Sequence, residues 1–229
     1  MKEENFDLGK VINNPSKPSI TSFGSEFKSP DLLDHLLGKH PRWKYLKQII
    51  SEGSLWYTRD INEMARSNDL EGAISCGNHK SAKKEIKVLT EGLTKEIKKG
   101  WQLLLPLEKA KEIPGLVMSP MGVATALGIS ANGKFVPKKR ITHDLSFPGI
   151  FSEESTNSRV IKELLEPCMF GYTFLRLIHK IVQLRNKYPK KIIWIRKEDA
   201  KSAYRRIHLH PRSSFQVGVQ IEIDGVSYL

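Results

Sequence analysis

Leu32, Leu33, Leu36 and Leu37 recur at the spacing of one helical face. They predict a short helix with Asp31 as its N-cap, and a second helix that begins after Pro41. Residues 60–100 continue in the same manner. From Lys83 to Lys99 the charges alternate while Ile86, Leu89, Leu93 and Ile97 keep helical spacing, the pattern of a packed helix with one solvated face. Ahead of all this, residues 1–30 are rich in Asn, Pro, Ser and Lys and show no period, so they read as a disordered leader. The period changes after Trp101, where Pro106, Pro114 and Pro120 force an extended, looped path. Ala124–Ser130 and Phe135–His143 then read as two strands of a hairpin, with Asn132-Gly133 supplying the positive φ angles of a tight turn.

Two more helices are expected over 159–166 and 172–188. In the second, Phe174, Leu177, Ile178, Ile181 and Leu184 share a face, the basic residues Arg176, Lys180, Arg185 and Lys187 lie elsewhere, and Pro189 closes it. The apolar run from Lys191 to Ile195 predicts a buried strand with Asp199 near its end. Phe215, Val217, Val219, Ile221 and Ile223 alternate with polar residues as in a half-buried strand; Asp224-Gly225 turns it, and Val226–Leu229 returns. The expected fold is α+β. A mostly helical region, 31–94, precedes residues 95–229, where a small antiparallel sheet is packed with helices and leaves an exposed, aggregation-prone edge near Val226–Leu229.

Composition adds a partner to this outline. The net charge is +12, with pI near 9.6. Residues 131–229 hold 18 Lys/Arg against 9 Asp/Glu, so this stretch alone carries +9. Such an excess points to a polyanion, while a solvated edge strand rich in lysine is the plain alternative for Lys138, Lys139 and Arg140. The two cysteines, Cys76 and Cys168, form no disulfide framework, which suits a reducing intracellular compartment without distinguishing nucleus from cytoplasm. Cys76 and His79 have a CxxH spacing, but no second ligand pair follows at zinc-site distance. His208 and His210 would share one face of a strand, as phosphate-facing or plain surface residues. No apolar run is long enough to span a bilayer, so no membrane partner is expected.

Two segments carry candidate chemistry. Lys197-Glu-Asp199-Ala-Lys-Ser-Ala203-Tyr204-Arg-Arg-Ile207-His-Leu209 places an Asp at a strand end, then Ala and an aromatic four and five residues later. Lys138-Lys-Arg140-Ile-Thr-His-Asp144-Leu-Ser146 places a basic residue four positions before an Asp, and Ser155-Thr-Asn157-Ser-Arg159 follows. In this order and at this separation they resemble the fingers strand and the first palm motif of reverse transcriptases, the RNA-directed DNA polymerases of retroelements. The resemblance covers about residues 95–229.

The resemblance implies fingers and an incomplete palm, and nucleotidyl transfer with magnesium. Asp199 would be the catalytic carboxylate and a metal ligand, since magnesium takes hard oxygen donors, with the Ala200 carbonyl as a weaker second ligand. Arg140 would grip the triphosphate with its planar fork of donors, with Lys139 and Asp144 beside the nucleotide. Ala203 and Tyr204 would line the sugar site, and the Tyr204 ring would exclude a 2′-hydroxyl. RNA-templated RNA polymerases usually carry a second Asp near that offset, so Tyr204 argues for deoxynucleotides. The implied partners are an RNA or DNA template–primer and deoxynucleotides.

The chain also departs from the pattern. It contains no Asp-Asp pair, no Pro-Phe-Gly segment and no thumb. One carboxylate does not hold two dications, so the chain as given is expected to be inactive. A truncated gene model, a degenerate element and one piece of a longer product all fit that expectation. The competing class is a non-enzymatic basic nucleic-acid-binding remnant, supported by the +9 stretch and its aromatics. An interaction module built on residues 31–100 rests only on ordinary amphipathic helices.

Overall fold

The computed structural model describes residue 10 and residues 29–165, 171–196 and 206–229. It is α+β, as the periodicity predicts. The chain forms two compact units, one of residues 1–161 with 204–229 and one of residues 162–203.

The first unit opens with α1 (Pro30–Leu37) and α2 (Trp43–Glu52). Ser29 caps α1, not Asp31. Its hydroxyl accepts from Leu32 N at 3.3 Å, and Pro30 occupies the first helical position, where its missing N–H costs nothing. Asp34 ties the two helices together by accepting from both the Trp43 indole and the Lys47 ammonium. Lys47 and the indole N–H together hold the Asp34 carboxyl below the usual carboxylate range. Three helices follow: α3 (Glu63–Cys76), α4 (Lys80–Lys84) and α5 (Ile86–Lys98). The helix expected over Lys83–Lys99 breaks at Glu85, whose φ of −114° and ψ of 36° end α4.

Two apolar cores hold this unit. Leu89 and Leu93 of α5 and Ala82 of α4 pack with Met121, Val123 and Ile221. Leu70 of α3 packs with Ala110, Ile113, Leu116 and Met118. The alternating strands β1 (Met121–Ile129) and β2 (Phe135–His143) form an antiparallel hairpin, with β2 where the sequence places it and β1 three residues longer at its start. At the tip Gly133 has φ 74° and its N–H reaches Ser130 O at 2.9 Å. Asn132 is not among the positive-φ residues. The connection is therefore a type I turn followed by one left-handed glycine, in place of the two-residue turn expected from Asn-Gly. Gly92 of α5 lies so close to Ile141 of β2 that a Cβ there would collide with it, which seats the helix on the base of the hairpin.

A second hairpin, β3 (Ile221–Ile223) and β4 (Val226–Tyr228), turns at Asp224 and Gly225, with φ of 50° and 77°. This is the two-residue turn that Asp-Gly predicts. The strand expected from Phe215 is shorter. α7 (Pro211–Ser214) and a 3₁₀ turn (Phe215–Val217) use up its first residues, because Phe215 packs into the Leu70 core and its carbonyl accepts from Val117 N. The expected edge at Val226–Leu229 is partly covered: Leu229 and Leu105 exchange both backbone hydrogen bonds, at 2.8 and 3.0 Å.

Single extended contacts also join distant stretches of this unit. Ser54 N donates to His208 O at 2.7 Å, and His210 N donates back to Ser54 O at 2.9 Å. Thr58 and Val160 form an antiparallel bridge, with Arg59 N donating to Arg159 O and Ile161 N to Tyr57 O, each at 2.8 Å.

In the second unit α6 (Thr173–Lys187) matches its periodic pattern. The helix expected over 159–166 is only a 3₁₀ turn (Lys162–Leu164), because Arg159 and Val160 are held in extended contacts with Arg59 and Thr58. The strand expected at Lys191–Ile195 is not formed. Both ladders among the described residues lie elsewhere, and an apolar run without a paired neighbour stays irregular, here with Ile192, Trp194 and Ile195 exposed.

Candidate nucleotide and nucleic-acid site

Among the described residues the hairpin is anchored at its base. Met121, Gly122 and Val123 are buried, whereas both strands from Ala124 to Arg140 are almost wholly exposed. Beyond the buried base the ribbon is thus an arm. Arg140 stands opposite Ala124 and Lys139 opposite Thr125. Lys139 Nζ makes an ion pair with Glu85 Oε1, at the break between α4 and α5, at 2.6 Å. Among the described residues no carboxylate pairs with Lys134, Lys138 or Arg140. The sequence explains this: Ile113–His143 contains no Asp or Glu.

Asp144 follows β2 directly, and its carboxylate is engaged. Oδ2 lies 3.0 Å from His79 Nε2, and Oδ1 accepts from Ser146 N at 3.2 Å. The His79 ring packs edge-on to Phe147, with centroids 5.6 Å apart. The CxxH histidine thus serves Asp144, while Cys76 is exposed and unpaired. Arg140 and Asp144 are four residues apart, roughly 13 Å along extended chain.

The serine–asparagine stretch folds back on the residues after β2. Asn157 N donates to Leu145 O at 2.9 Å, and Asn157 Nδ2 to Ser146 Oγ at 2.8 Å. Ser155 and Ser158 close the loop by exchanging hydroxyl–amide bonds of 2.9 and 3.0 Å. The structure therefore brings together two of the three sequence segments, 138–146 and 155–159. The third falls outside the described residues, which exclude Asp199, Ala200, Ala203 and Tyr204. Cys168 lies outside them as well.

Arg159, at the end of the Ser155–Arg159 stretch, is 2% exposed. Its guanidinium donates to Gln216 Oε1 at 2.6 Å and to Arg59 O at 3.2 Å, and no carboxylate among the described residues forms an ion pair with it. Burial lowers its pKa from the usual arginine value, but the group remains charged. Arg66, also buried, is paired: Glu63 accepts from it through both oxygens, and Arg66 Nη1 donates to Leu116 O at 2.8 Å. Both arginines line a small cleft with Asp69, Met118, Phe147 and Gly149. Asp69 is spoken for, accepting from Phe151 N at 2.7 Å and Ser152 N at 3.3 Å.

His210 Nδ1 accepts from Arg212 N at 3.2 Å and caps α7, a structural use of a residue considered above for phosphate. Among the described residues no group of three His, Cys, Asp or Glu is placed to hold a metal ion, and no helix is long and apolar enough to cross a membrane. No family model matches the chain, and neither a curated protein nor a solved structure shows significant similarity to it.

Proposed function

We propose that the chain is the fingers and the beginning of the palm of a reverse-transcriptase-type polymerase, which binds template–primer and deoxynucleotides. The observation that carries this reading is Arg140. It stands on an exposed basic arm without a carboxylate partner among the described residues, four residues before an Asp whose loop is packed against the Ser155–Arg159 stretch. A guanidinium in that state offers its full fork of donors to a phosphate. The magnesium that the reading implies would rest on Asp199 and the Ala200 carbonyl, outside the described residues. The part of the described residues is to bind phosphate and position strands. A narrower reading, a basic nucleic-acid-binding protein without catalysis, draws on the same arm and on the absence of any Asp-Asp pair.

The two separate by experiment. The 229-residue chain alone should not extend a primed template with magnesium or manganese. Extension above a blank, lost in Asp199→Ala, would show that the carboxylate count has been misjudged. In a chimera completed with palm and thumb from a related full-length element, Arg140→Ala should weaken nucleotide use by about 10- to 100-fold, the loss of a charge-assisted contact of roughly 1.5–3 kcal/mol. Template binding should hardly change, and Lys should substitute poorly. In the same chimera Tyr204→Ala should raise ribonucleotide incorporation. Unchanged nucleotide affinity in Arg140→Ala and an unchanged sugar ratio in Tyr204→Ala, both in folded protein, would leave only the narrower reading.

A further inference from the structure

We propose that the distal half of the β1–β2 arm is a groove-binding ribbon for double-stranded DNA, its apolar face set against base edges and its lysines against the phosphate walls. The inference rests on the nucleic-acid reading above and deepens it by naming the form of nucleic acid.

The register sorts the arm into two unlike faces. Ile129 pairs with Phe135 and Leu127 with Pro137, and side chains of directly paired residues share a face, so these four form one apolar surface. Leu127, Ile129 and Phe135 are 76%, 70% and 72% exposed. Lys139 shares their face, but it is closer to the core and its charge is matched by Glu85. The other face sets Lys138 and Arg140 of β2 against Ala126 and Ala124 of β1. Those small partners leave the long basic side chains unobstructed. Lys134, in the tip, adds a third cation, and no carboxylate pairs with any of the three among the described residues.

Size and charge select the occupant. Six residues beyond Val123 at about 3.4 Å each give a reach of roughly 20 Å. Two strands about 4.8 Å apart, with their side chains, match the B-form major groove, about 12 Å wide, which admits a two-stranded ribbon. There the apolar face meets thymine methyls and base edges, while Lys134 from the tip and Lys138 from the reverse face extend their flexible stems past the ribbon edge to the flanking phosphates. An A-form duplex has a major groove too narrow for side chains, so RNA duplex is the poorer ligand. A second copy of the chain is disfavoured, because Pro137 and three consecutive basic residues on β2 oppose strand addition at that edge.

The test compares binding of the intact chain to a labelled DNA duplex of two helical turns and to an RNA duplex of the same sequence. DNA should bind at least about 10-fold more tightly. Lys134→Ala with Lys138→Ala should make the log K against log salt slope shallower by about 1.8, for two lost phosphate contacts. Leu127→Ser, Ile129→Ser and Phe135→Ser together should weaken DNA binding by about 10-fold and leave that slope unchanged. All five positions are exposed, so melting temperature should hold; if the triple serine variant unfolds, the lysine pair decides alone. Equal affinity for RNA duplex, or arm variants that bind DNA as the wild type does, overturns the ribbon and leaves the proposed function standing. A wild-type chain that binds no nucleic acid at low salt overturns both.

Discussion

Gly53→Ala should destabilise the protein by about 3 kcal/mol, which lowers the melting temperature by about 6–12 °C for a unit of this size. Gly53 has φ 90° and ψ 167°, a region that only glycine occupies readily. A Cβ built there lies 2.6 Å from His210 N and 2.7 Å from Leu209 C. Both contacts are with backbone, and that backbone is held by its own hydrogen bonds to Ser54, so neither side has a flexible group to yield. Gly133→Ala is the control. Its φ of 74° is also positive, but nothing lies within 4 Å of the added carbon. It should cost only about 1 kcal/mol, for the left-handed conformation alone. Equal losses in the two variants, by thermal or urea unfolding, would mean that the Leu209–His210 contact contributes nothing.

The second large effect belongs to Arg159. Arg159→Ala removes two hydrogen bonds made by a charged group and leaves a cavity, a loss of about 3–4 kcal/mol. Arg159→Met keeps most of the volume and removes a buried charge that has no carboxylate partner among the described residues, but it strands the Gln216 side-chain oxygen and the Arg59 carbonyl, for about 2 kcal/mol. Adding Gln216→Leu to Arg159→Met should recover about 1 kcal/mol, because both ends of one bond are then apolar. Urea midpoints at constant m-value report all three. A double variant less stable than Arg159→Met would show that Gln216 has a second role.

The local period carried most of the elements and failed where tertiary contacts outweighed it. Phe135–His143 and Asp224-Gly225 were legible because alternation and turn chemistry agree there. The Lys191–Ile195 run carries a strand's apolar signal, yet strands exist only as pairs, and the position of a partner is not written in the run itself. Phe215 is drawn into a 3₁₀ turn by the Leu70 core, whose buried members lie 97 to 145 positions earlier in sequence. At the candidate site, the spacing of Arg140 and Asp144 was visible. The His79–Asp144 contact joins residues 65 apart, and nothing local marks it. Arg159 looked like one basic residue among many, because burial of a charge in a loop leaves no periodic trace. The nearest signal was its place at the end of the Ser155–Arg159 stretch.

The bridge between Ser54 and Leu209 has a consequence for biosynthesis. The segment that follows α2 completes its backbone bonding only with residues more than 150 positions later. Translation adds about 5–20 residues per second, so some 8–30 s pass between the emergence of the two partners. During that interval Leu55 and Trp56 are on the nascent chain without the late segment that joins them to the fold, Trp56 N donating to Ser213 Oγ. A co-translational chaperone would meet this stretch early, and the unit would close late, after the ribosome has passed His210.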